Sequence, residues 1–71
     1  SSGSDTMIRK DIYDALARLS ETQRTCITMQ LIDGRAIDEI SKITGMPIGT
    51  VKSHLKRGKD LMVDFLKKNG Y

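Results

Sequence analysis

With 71 residues, 38% of them hydrophobic and 30% charged, the chain makes one small domain and is neither disordered nor long enough for a catalytic cleft roofed by a second domain. One cysteine, Cys26, and one histidine, His54, exclude an internal disulfide and a structural zinc site, and no apolar run approaches the roughly 18 residues of a membrane span. The net charge of +3 is unevenly spread: from residue 47 onward six basic residues (Lys52, Lys56, Arg57, Lys59, Lys67, Lys68) face only Asp60 and Asp64, whereas residues 1–46 hold six basic and seven acidic residues. That asymmetry suits an element that binds a polyanion, although a solvated lysine-rich helix face gives the same count.

Residues 1–4 read as a linker or cloning remnant, and residues 5–71 as a domain cut from a longer protein. The first predicted helix runs from about Asp5 to Arg18, with Ile8, Ile12, Ala15, Leu16 and Leu19 on one apolar stripe and Arg9, Lys10, Asp11 and Asp14 on the wet side. A second helix starts at Ser20, because Ser20 and Gln23 have the spacing of a capping box and Leu19 can serve as its hydrophobic staple. Cys26, Ile27, Met29, Leu31 and Ile32 make this segment broadly apolar and the expected most buried helix; Asp33-Gly34 ends it. Cys26 is expected as a small buried hydrophobe, and the methionines at 7, 29, 46 and 62 as core and staple residues.

The third helix spans about Ala36 to Thr44, with Ile37, Ile40 and Ile43 recurring every three residues and Asp38 and Glu39 at its positive end. Gly45 stops it. Pro47, with no N–H and a preset φ, suits the first turn of a fourth helix running to about Lys67. Ile48, Val51, Leu55, Gly58, Met62 and Phe65 form its apolar seam, and Gly49, Lys52, Ser53, Lys56, Arg57 and Asp60 occupy the opposite face. The fold predicted is therefore all-α: four helices containing a helix-turn-helix.

Helices three and four, joined by the short turn Gly45-Met46, have the helix-turn-helix arrangement, in which the second helix lies in the major groove of DNA and reads bases from its N-terminal half. Lys52, Ser53, Lys56 and Arg57 project from one side: Lys and Arg pair with guanine O6 and N7, and Ser donates or accepts more loosely. Gly49 and Thr50 are small enough for the helix end, with its free N–H groups, to approach a phosphate. Catalysis finds no support. His54 has no co-ligand and reads as a surface or DNA-facing residue, and Asp38 and Glu39 point about 100° apart on their helix. No cofactor, metal or catalytic residue is expected, and a reducing, cytoplasmic setting fits.

From Leu19 to Met62 the chain resembles region 4, the C-terminal promoter-binding domain, of bacterial extracytoplasmic-function (ECF) sigma factors. The resemblance rests on LSETQR, on the stretch DGRAIDEISKITGMP, and above all on IGTVKSHLKRGKDLM, which is close to the family's GTVKSRLxRAR recognition helix. It implies a winged-helix-like fold of the sigma region 4 type and a subunit of RNA polymerase that reads the −35 element of double-stranded promoter DNA. Lys52, Ser53, Lys56 and Arg57 would face the major groove; Pro47, Gly49, Thr50 and His54, with Arg35 and Ile37 at the start of the third helix, would meet the DNA backbone. The other face would dock on the flap of the polymerase β subunit, and an anti-sigma factor is a further implied partner. The chain departs from the family pattern at Ala36 (usually Ser or Thr), Ile37 (often aromatic), His54 (commonly Arg) and Gly58 (Ala).

Two other readings share parts of the pattern. A LuxR-type output domain also carries TVKxH, which His54 fits, but such domains usually have a charged residue where Gly49 stands and end in a Lys-Leu-Gly-like stop absent here. A helical protein-interaction module could use the apolar seam and basic face, yet protein docking has no need of a Gly-Thr-Val-Lys-Ser start.

Overall fold

The computed structural model describes the backbone of residues 3–70 and the side chains of residues 9–70. Within them the chain forms helix α1 (Gly3–Ala17), α2 (Glu21–Ile27) continuing into a wide π-helical turn (Thr28–Ile32), α3 (Ile37–Thr44) and α4 (Ile48–Lys68), with no strand among the described residues. α1 begins two residues before Asp5, so Gly3 and Ser4, expected in a linker, are helical; Ser1, Ser2 and the expected apolar contributions of Met7 and Ile8 lie outside the described residues.

Local chemistry sets most boundaries. Ser20 Oγ accepts from the Gln23 N–H at 3.2 Å and Gln23 Oε1 accepts from the Ser20 N–H at 3.1 Å, which completes the expected capping box. At the other end the Asp33 N–H reaches the Thr28 carbonyl at 3.1 Å, one residue further back than in an α-helix, and the Arg35 N–H reaches Met29 at 2.9 Å across Gly34 at φ +70°. The wider turn changes the phase of the helix. Leu31 and Ile32, expected inside, are 58% and 52% exposed.

The core is one cluster: Ala15, Leu16, Leu19, Cys26, Ile27, Ile40, Val51, Leu55 and Met62, with Met29, Ile37, Met46 and Phe65 packed against it. It corrects the expected apolar faces at three places. Ile12 is on the boundary of exposure, Ile43 is 52% exposed and Ile48 is 46% exposed. A three-residue repeat drifts around a helix of 3.6 residues per turn, so Ile37, Ile40 and Ile43 cannot all face inward; Ile40 takes the centre. Ile48 sits in the first turn of α4, beyond the reach of any covering helix.

Candidate nucleic-acid interface

The turn between α3 and α4 is held from within. Gly45 closes α3 at φ +77°, a conformation that strains other residues, and its N–H bonds the Ser41 carbonyl at 2.9 Å. Ser41 Oγ donates to the Met46 carbonyl, Thr44 Oγ1 donates to the Ile40 carbonyl at 2.7 Å, and the Met46 N–H donates to Thr44 Oγ1 at 3.3 Å. Two hydroxyls therefore fix the start of α4. Pro47 is the residue preceding the helix, with extended ψ of 151°, rather than its first helical residue; its carbonyl accepts from Val51 at 3.0 Å.

Val51, Leu55, Gly58 and Met62 are buried and define the inward side of α4. At about 100° per residue, the outward side falls to Gly49, Ser53, Lys56 and Asp60, flanked by Lys52 and Arg57. All six are exposed, as are Pro47 and Thr50. The four expected base-reading residues are thus all exposed around the outer side of α4, over its buried seam. Thr50 and Gly49 lie in the first turn of α4, where the N–H groups have no partner within the helix and can bind an anion.

The remaining expected backbone contacts are less simple. Arg35 is exposed but engaged: its Nη1 lies 3.7 Å from Glu39 Oε2. Glu39 Oε1 meanwhile accepts from the Ala36 N–H at 3.1 Å, which is half of a capping box; the Ala36 methyl cannot return a bond to the helix. Ile37 packs on the core, so only its backbone is available to a phosphate. His54 is half-buried on the flank of α4, and its Nδ1 is shielded with no hydrogen-bond partner among the described residues.

Two residues to which the sequence assigned no contact belong to the same surface: Asp60, expected on this face, and Lys59, not placed on it. Lys59 and Asp60 join Lys52, Lys56, Leu55, Ile37 and Gln30 around a shallow groove of about 330 Å³ between α4 and the start of α3. Lys56 Nζ stands 3.4 Å from Asp60 Oδ2, one turn along the helix. The i, i+4 spacing of Lys56 and Asp60 was the signal available in the sequence.

A second groove, of about 470 Å³ and almost wholly apolar, is lined by Ile12, Leu31, Ile32, Lys59, Met62, Val63 and Leu66. It occupies the C-terminal half of α4, the π turn and α1. Nearby, the Arg18 guanidinium sits 4.7 Å from the centroid of the Phe65 ring and ties the end of α1 to α4. Among the described residues no group of histidine, cysteine and acidic side chains is placed to hold a metal ion, and no helix is long and apolar enough to cross a membrane.

Comparison with known proteins gives a consistent family signal. The model of the sigma-70 region 4 family matches residues 9–62. The chain is 31% identical over 65 residues to the ECF RNA polymerase sigma factor SigE of Mycolicibacterium smegmatis, covering 92% of this chain and 25% of that protein. It is 33% identical over 51 residues to the ECF RNA polymerase sigma factor SigW of Bacillus subtilis, covering 72% and 27%. Against the ECF RNA polymerase sigma-E factor of Haemophilus influenzae the identity is 27% over 55 residues, covering 78% and 29%. The chain spans less than a third of the length of each of these relatives.

Proposed function

Because the chain belongs to the sigma-70 region 4 family, we propose that it is the promoter-reading part of a bacterial ECF sigma factor and binds the −35 element in double-stranded DNA during transcription initiation. The observation that carries this reading is the single outward face of α4, where Lys52, Ser53, Lys56 and Arg57 stand exposed over the buried Val51, Leu55, Gly58 and Met62. Lys and Arg on such a face reach guanine acceptors in the major groove, and Ser53 adapts to either partner. Gly49, Thr50 and Pro47 bring the start of α4 to one phosphate; Arg35, the backbone of Ile37 and His54 meet the flanking ones.

The mechanism is binding, with no bond made or broken. Affinity comes largely from phosphate neutralisation and therefore falls with salt, while the base contacts select the site. The apolar groove around Leu31, Ile32, Met62 and Leu66, which meets the basic groove at Lys59, contains none of the four reading residues and is where we place the contact with the flap of the polymerase β subunit. An anti-sigma factor covering these surfaces would silence the domain, and the site of action is the cytoplasm.

The test is an NMR titration of the 15N-labelled chain with short duplexes selected from a randomised pool, at low and then moderate salt. The expected result is amide shifts concentrated in 47–57 and around 35–37 that fade as salt rises. Shifts confined to the apolar groove, or none at low salt, would overturn the DNA-reading role.

A further inference from the structure

We propose that Asp60 is a specificity-determining residue of the DNA interface: it holds Lys56 on the reading face and so weakens binding to unselected DNA more than binding to a selected site. The inference rests on the DNA-reading role proposed above. Its starting point is a charge in an unfavourable place. Residues 48–59 of α4 carry four basic side chains and no acidic one, and Asp60 follows them in line with Ser53 and Lys56, opposite the buried seam. An acid on that line repels phosphate.

Stability does not account for it. Asp60 and Lys56 are 69% and 79% exposed, and an exposed i, i+4 pair contributes little to the fold. Its effect is on what Lys56 can do. With Nζ 3.4 Å from Asp60 Oδ2, the ammonium is already partnered when the domain meets DNA. On an unselected duplex the competing partner is a phosphate, whose attraction for Lys56 is opposed by its repulsion from Asp60, so the pair persists and one counterion fewer is released. At a selected site guanine O6 and N7 offer Lys56 a directional contact deep in the groove, away from the phosphates. Lys59, on the same groove, has no ion pair among the described residues and supplies general attraction.

The experiment begins with enrichment of a randomised duplex pool by the 71-residue chain, followed by anisotropy titrations of one enriched and one scrambled duplex over a range of salt. Asp60→Asn keeps size and removes charge. Asp64→Asn is the control, since Asp64 pairs with Lys68 at 3.3 Å one turn further along and makes the same change in net charge. The expected result is that Asp60→Asn tightens binding to the scrambled duplex roughly three- to ten-fold, steepens its salt slope by about 0.9, as one extra phosphate contact requires, and leaves the enriched duplex within about two-fold. The gain should vanish in a Lys56→Ala background. If Asp60→Asn and Asp64→Asn shift both duplexes alike, Asp60 acts only through net charge and the proposal is overturned while the DNA-reading role stands. If the unmodified chain enriches no sequence, that role fails first and the proposal falls with it.

Discussion

Gly58 of α4 lies directly against Ile27 of α2: a Cβ built on Gly58 would sit 2.9 Å from Ile27 Cγ1, 3.2 Å from Ile27 Cδ1 and 3.6 Å from Leu19 Cδ1. Glycine in mid-helix costs about 1 kcal/mol in propensity relative to alanine, and the reason for accepting that cost is this close approach. The two helices meet where Ile27, 1% exposed, fills the space that a side chain at 58 would take. α4 is thereby seated on α2 at Gly58, the residue that follows Lys56 and Arg57.

Gly58→Ala therefore sets two effects against each other. The helix gains about 1 kcal/mol in propensity, and overpacking a tight core contact costs about 1–3 kcal/mol. We expect a net loss of about 1 kcal/mol, measured by urea unfolding. Ile27→Val removes one of the two clashing carbons, so the double variant should lose less than the sum of the two single changes. A Gly58→Ala protein that melts above the parent would show that Ile27 yields freely and that close approach does not require glycine here.

Much of this architecture was legible in the sequence because it rests on local chemistry. Ser20 with Gln23, Gly34, and Gly45 before Pro47 each mark a boundary through bonds made within a few residues, and Val51, Leu55, Gly58 and Met62 mark the inward side of a helix long enough to average out error. What was not legible depends on which neighbour covers a face. Ile43 and Ile48 have the spacing of core residues, yet no helix lies over them. Leu31 and Ile32 are turned outward by the π-helical turn, whose Asp33-to-Thr28 bond arises from how the chain leaves α2 rather than from any residue type. Of the site, the exposed row on α4 was readable, and the i, i+4 spacings of Arg35 with Glu39 and of Lys56 with Asp60 allowed ion pairs, but that both pairs form shows only in the structure.

The corrected faces predict a contrast along α4. Leu55 is 3% exposed in the centre of the core, and Leu55→Ala should cost about 2–5 kcal/mol. Ile48, in the same sequence seam, is 46% exposed, and Ile48→Ala should fall within about 0.5 kcal/mol of the parent, as surface changes do. Equal losses at the two positions in urea unfolding would restore Ile48 to the core.

Burial pushes the Cys26 thiol above its usual pKa. The folded state thus favours the neutral thiol, the contribution to stability is fully present below the unfolded-state pKa, and it is lost as pH rises through the raised folded value. Thermal unfolding from pH 7 to pH 10 should fall more steeply for the parent than for Cys26→Ala, which has no thiol to ionise on unfolding. Labelling of Cys26 by a thiol reagent should be slow in buffer and accelerate with urea; fast labelling of the native protein contradicts the burial.

Lys52→Ala and Arg57→Ala should each weaken binding to an enriched duplex by about 1–3 kcal/mol if they read bases, with a smaller loss on scrambled DNA. Lys42→Ala, exposed on α3 and outside the reading row, serves as the charge-matched comparison. Losses at Lys52 and Arg57 no larger than at Lys42 would reduce the row on α4 to general electrostatic attraction.

Glu39 holds two tasks on separate oxygens, and substitutions can divide them. Oε1 caps the Ala36 N–H while Oε2 engages Arg35. Glutamine at 39 retains an acceptor for the cap but not the charge that holds Arg35, so Glu39→Gln should leave the melting temperature close to the parent's and free Arg35 for a phosphate. Binding should then tighten on enriched and scrambled duplexes alike, with a salt slope steeper by about 0.9. Glu39→Ala loses the cap as well, and because Ala36 offers no side-chain bond of its own to the helix N-terminus, α3 should fray at a cost of about 0.5–2 kcal/mol, the range of lost N-terminal caps. Arg35→Ala in the Glu39→Gln background should remove the gain in affinity entirely. If the gain survives that change, Arg35 is not the residue that Glu39 restrains, and the phosphate contact at the start of α3 belongs to the backbone N–H groups alone.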